Sequence, residues 1–104
     1  MPLGPDAGPS LSAGKRRELR AAAQRLKARL IVGRKGLTDA LLAEVRGELL
    51  RHELIKVRLD EDDAGEAELL ATQLAEGIPC HLVQRIGRVA LLYRQRPAAS
   101  PEES

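Results

Sequence analysis

Aromatic side chains are almost absent from this sequence: there is one Tyr, and neither Phe nor Trp. That excludes a surface on which successive bases are stacked over exposed aromatics. Cysteine is equally scarce. The single Cys80 cannot close an internal disulfide, which fits a reducing compartment and a cytoplasmic location. With two histidines, His52 and His81, no metal-ligand spacing emerges and no cofactor is expected. No apolar run reaches the ~18 residues of a membrane span, so no membrane partner is expected. The opening stretch, MPLGPDAGPSLSAG, lacks the basic start and apolar centre of a signal peptide.

What the sequence does contain fits one domain. Its 104 residues are 43% hydrophobic and 31% charged, a globular balance. Leu, Val, Ile and Ala supply nearly all of the apolar content. The net charge of +2 conceals a strong segregation. Residues 15–35 hold nine cations against one acid, Glu18, for a net +8, and residues 60–76 hold seven acids and no base. The positive pole is a candidate nucleic-acid footprint; the competing reading is a pair of solvated helix faces of opposite bias.

The ends, 1–10 and 97–104, are rich in Pro, Gly, Ala and Ser and are expected to be a disordered extension and tail. Between them the periodicity alternates. A first helix is expected over 13–27, with Ser12 as N-cap and Leu19, Ala22, Ala23 and Leu26 on one stripe. Arg16, Arg20 and Lys27 then share a flank of it. Leu30-Ile31-Val32 reads as a short buried strand. Thr38 caps a second helix whose Leu41, Val45 and Leu49 face the core, and Gly47 inside it suggests close packing. Residues 53–60 alternate: Ile55, Val57 and Leu59 point one way, Lys56 and Arg58 the other. A third helix is expected over 65–76, with Gly77 just beyond it and Pro79 blocking continuation. Strands over 80–86 and 89–94 follow, joined by a Gly87-Arg88 hairpin turn. The order α-β-α-β-α-β-β implies an α+β fold: a two-layer sandwich on a four-stranded mixed sheet with one open face.

The sequence Gly33-Arg34-Lys35-Gly36 joins the first strand to the second helix. Glycines let the backbone approach a ligand closely. The helix start offers unpaired N–H groups and partial positive charge, which favour a phosphate. Arg34 and Lys35 add two full charges. The spacing is neither a Walker A loop nor a dinucleotide fingerprint. A loop of this kind clamps nucleic-acid backbone in KH domains, although there it joins two helices. The competing reading is a plain turn with two exposed basic residues.

Several segments together carry a resemblance. Lys15-Arg16-Arg17-Glu18-Leu19-Arg20, the run from Leu30 through Gly33-Arg34-Lys35-Gly36 to Thr38, Glu53-Leu54-Ile55-Lys56-Val57, and Gly87-Arg88 followed by Leu92-Tyr93-Arg94 resemble the CRM domain, a module named for chloroplast RNA splicing and ribosome maturation. The match is to the bacterial stand-alone, YhbY-like form and covers about residues 11–96. The resemblance implies a fold similar to the C-terminal domain of translation initiation factor 3. It also implies RNA binding through the GxxG loop and adjoining basic surface, and association with precursors of large-subunit ribosomal RNA in a pre-ribosomal particle. Two departures stand out: Arg34 where members usually carry Lys, and Ala28 where Pro is frequent.

The candidate RNA-binding residues are therefore Gly33, Arg34, Lys35 and Gly36, with Arg16, Arg20, Lys27, Lys56 and Arg58 as a supporting basic surface. Tyr93 reads as a residue at the edge of the core rather than a stacking platform. No nucleophile, base and orienting group come together, so a monomeric binder rather than an enzyme is expected. The alternative function is a protein-interaction module that docks a basic ribosomal protein through its acidic third helix.

Overall fold

The computed structural model describes residues 10–33, 36–78 and 80–95. Seven elements follow in the expected order: α1 (Ala13–Ala23), β1 (Ala28–Val32), α2 (Asp39–His52), β2 (Leu54–Leu59), α3 (Ala64–Gly77), β3 (His81–Ile86) and β4 (Val89–Tyr93). Each helix starts at a side-chain cap. Ser12 Oγ accepts from Lys15 N–H at 3.0 Å, Thr38 Oγ1 from Leu41 N–H at 3.1 Å, and Asp63 Oδ1 from Glu66 N–H at 3.0 Å. The expected extension at 1–10, apart from Ser10, the tail at 97–104 and Pro79 lie outside the described residues.

The strands form one mixed sheet in the order β1-β2-β4-β3. β1 and β2 are parallel, connected through α2. β4 inserts between β2 and β3 and runs antiparallel to both. Gly87 turns the β3–β4 hairpin at φ 56°, the left-handed first position that a Gly-X turn requires. The α+β class, the element order and the four-stranded mixed sheet are those the sequence implies.

Alternation along the strands sorts the side chains into two cores. On one face Val32, Ile55, Val57, Leu59, Ala90 and Leu92 pack against Val45 and Leu49 of α2 and Ala67, Ala71 and Leu74 of α3. On the other face Leu19 and Ala23 of α1 pack against Val83, Leu91 and Tyr93. α1 thus covers part of the face that the alternating pattern leaves open. The uncovered part shows Ile31, Ile86 and Arg58.

Three local expectations need correction. α1 ends at Ala23, not near residue 27, because residues 24–26 tighten into bonds to the carbonyl three residues back. Lys27 is therefore beyond the helix and shares no flank with Arg16 and Arg20. Gly47 marks no close packing: a Cβ there would meet only the guanidinium of Arg51, at 3.7 Å. Gly77 is the last residue of α3, with Ile78 as C-cap, rather than just beyond it; a Cβ there would lie 3.4 Å from Leu42, and one at Gly65 would lie 3.2 Å from Asp63 Oδ1. No helix among the described residues is long and apolar enough to cross a membrane.

Candidate nucleic-acid interface

The parallel pairing of β1 and β2 sets the geometry of the loop. β1 ends at Val32, opposite Leu59, and the Asp60 N–H donates to the Val32 carbonyl at 2.8 Å. The chain then turns back toward α2. Gly36 N–H donates to the Gly33 carbonyl at 3.0 Å, and Gly36 sits at φ +72°, a left-handed conformation that costs an L-residue about 1–2 kcal/mol. A Cβ at Gly33 or Gly36 would meet nothing within 4 Å, so both glycines border open space. The bond between them brackets Arg34 and Lys35, which lie outside the described residues. Thr38 opens α2 just beyond, and its first turn presents N–H groups with no helical partner.

The supporting cations are distributed unevenly. Arg58 is exposed, pairs in register with Ile31, and has no ion-pair partner among the described residues. It is the sheet cation nearest the loop. Lys56 is two residues away on the same face, half-buried, and its Nζ donates to the Leu26 carbonyl at 3.0 Å. Arg20 is exposed on α1 and shares with Lys56 a groove of about 340 Å³. Gln24, Gln84, Ile86, Val89 and Leu91 also line it. Arg20, Lys56 and Arg58 thus belong to one surface leading to Gly33.

Arg16 and Lys27 belong elsewhere. The Arg16 guanidinium donates to the carbonyls of Val83, at 3.1 Å, and Leu82, at 3.4 Å. It ties α1 to β3 at the register shift of that edge strand. Lys27 stands before β1, roughly 20 Å along the strand from Gly33. It lines a separate basic recess with Arg25, Arg29 and Glu48.

Glu48 binds part of that charge internally. Its carboxylate takes Arg51, lies 3.6 Å from Arg29 NH1, and is 3.7 Å from His52 Nε2. The Arg51 hydrogen bond, aided by the charges of Arg51, Arg29 and His52, holds the Glu48 carboxyl below its ordinary range despite desolvation. The bulge between Ala28 and Leu30 accompanies this reach of Arg29 toward α2. Sequence periodicity could not reveal Glu48 as a hub, because its partners come from a bulge and from the end of its own helix.

The acidic run lies beside the loop rather than at a remote pole, since it follows β2 as the loop follows β1. Part of its charge is used locally. Asp62 Oδ1 pairs with Arg88 NH2 at 2.5 Å, Asp63 caps α3, and Glu68 takes Arg85 at 2.9 Å. The remaining negative potential borders the loop and disfavours phosphate on that side. The α1 side of the sheet presents Arg20, Lys56 and Arg58 instead. Tyr93 offers no stacking platform there, being buried, with Lys15 Nζ 5.4 Å from its ring centroid.

Comparison with known proteins agrees with this geometry. The family model described as the CRS1/YhbY (CRM) domain matches residues 11–94. A Pseudomonas aeruginosa protein named as a probable RNA-binding protein is 36% identical over 88 residues, covering 85% of each chain. A Haemophilus influenzae RNA-binding protein is 33% identical over 85 residues, covering 82% of this chain and 86% of its own. A solution structure from Staphylococcus aureus, of a hypothetical protein described as a candidate RNA binder, superposes with a TM-score of 0.75 at 26% identity, covering 88% of this chain and 95% of that one.

Proposed function

The chain belongs to the CRS1/YhbY (CRM) domain family, and from that premise we propose that it is an RNA-binding protein acting in assembly of the large ribosomal subunit. The observation that carries the RNA reading is the turn at Gly33 and Gly36. It stands in open space at the head of a capped helix, beside Arg58, which has no ion-pair partner among the described residues. The relatives named as RNA-binding proteins support the same reading. In this proposal Arg34 and Lys35 grip backbone phosphates, and Arg20, Lys56 and Arg58 continue the track. The RNA is precursor large-subunit ribosomal RNA within a pre-ribosomal particle. The protein works as a cytoplasmic monomer, without catalysis.

Crosslinking the protein to cellular RNA and sequencing the joined fragments tests the proposal. Fragments concentrated on precursor large-subunit RNA are expected; fragments spread evenly over messenger and transfer RNA contradict the assembly role. The docking of a basic ribosomal protein through α3 has weaker geometric support, because Arg85 and Arg88 already occupy Glu68 and Asp62. A partner retained after nuclease treatment would favour it.

A further inference from the structure

We propose that the groove between α1 and the uncovered sheet face is a pocket for one unstacked RNA base, so that this protein reads base identity at one nucleotide beside the phosphate track. The inference rests on the RNA-binding reading and deepens it.

The lining carries the argument. Val89, Leu91 and Ile86 form an apolar floor, and Ile86, 65% exposed, carries that apolar surface out to the solvent. A nucleobase covers such a floor with its flat face, a role that aromatic residues play in other RNA binders. Gln24 and Gln84 stand on the walls. Their side-chain amides take no hydrogen bond among the described residues. Each amide carries both a donor and an acceptor, the complement needed at the edge of a base. Gln84 is half-buried, and its unpartnered amide still reaches solvent, so it can exchange water for the edge of a base.

The charges fix the class of ligand. Arg20 and Lys56 frame the groove, and Lys56 Nζ is held in place by the Leu26 carbonyl. An aliphatic floor alone would equally suit a hydrophobic peptide. Two cations at its rim, with Arg58 next in line toward Gly33, favour an anionic strand whose base can drop inward. The groove volume of about 340 Å³ lies at the small end of the ~300–1,000 Å³ typical of ligand pockets and has room for a base. Along the strands, Lys56 lies roughly 13 Å from the level of Gly33. A short single-stranded segment spans the two sites.

The test is binding of the full chain to oligonucleotides of U, A, C and G, each of one base, at matched salt. The parent is expected to prefer one base by about tenfold over the weakest, the scale of a single good base-edge contact. Gln24→Ala with Gln84→Ala should bring that preference below about twofold while leaving the salt dependence of binding unchanged. Gln24→Ala alone, at an exposed position, should reduce it partway and guards against a folding artefact, checked by circular dichroism. Equal binding of all four by the parent, or an unchanged preference in the double variant, overturns the base pocket and leaves RNA binding standing. Failure of the parent to bind any RNA at low salt overturns both.

Discussion

At the residue scale, two glycines of one loop differ in what they demand. Gly36 needs its left-handed backbone and Gly33 does not, yet both face open space. Gly36→Ala should therefore cost about 1–2 kcal/mol in urea unfolding. Gly33→Ala should stay within about 0.5 kcal/mol of the parent. Any difference in RNA binding at Gly33→Ala then reports ligand approach rather than strain. The buried Cys80 makes a second residue-scale prediction. Burial pushes its thiol up to about 12, against the opposing charge of Arg94. Above pH 9 the unfolded chain loses this proton while the folded chain keeps it. Stability should therefore fall between pH 9 and about 12, by up to about 1.4 kcal/mol per pH unit from this group. In Cys80→Ala that component of the slope should vanish, which chemical unfolding across this pH range measures. The site glycines were legible because a strand, two glycines and a capping Thr stand in order. The roles of Arg16 and Glu48 were not, since each depends on atoms distant in sequence or displaced by a bulge.

At the scale of elements, α1 has two jobs that its sequence does not separate. Its Leu19 and Ala23 close a second core, which the alternation of β2 and β4 alone leaves as open surface. Its cations then divide. Arg16 bonds the β3 backbone and Arg20 has no partner among the described residues. Arg16→Ala should lower stability by about 1–3 kcal/mol, the range for lost hydrogen bonds to a charged donor. Arg20→Ala should leave stability within about 0.5 kcal/mol and weaken RNA binding. Thermal unfolding and RNA titration on the same two variants check the division. Helical spacing placed both arginines on one flank correctly. Only the packing of α1 against β3 decides which of them is spent on the fold.

Across the whole molecule, the segregated charge is arranged by topology. Parallel β1 and β2 bring the glycine loop and the acidic run to the same end of the sheet, where sequence separation suggested distant poles. Arg88 and Arg85 tie down two of the acids, and Glu48 gathers Arg29, Arg51 and His52. Among the described residues, Arg20 and Arg58 on the α1 side have no ion-pair partner and give an anionic chain a route there. That account stands on phosphate contact at the loop. The most direct measurement is RNA affinity against salt for the parent and for Arg34→Ala with Lys35→Ala. The variant should fold as the parent does and bind at least about tenfold more weakly at low salt. Its log–log salt slope should be shallower by about 1.4, two single-strand phosphate contacts at ~0.7 each. A double variant that binds as tightly as the parent, with the same slope, would contradict the loop as the phosphate grip.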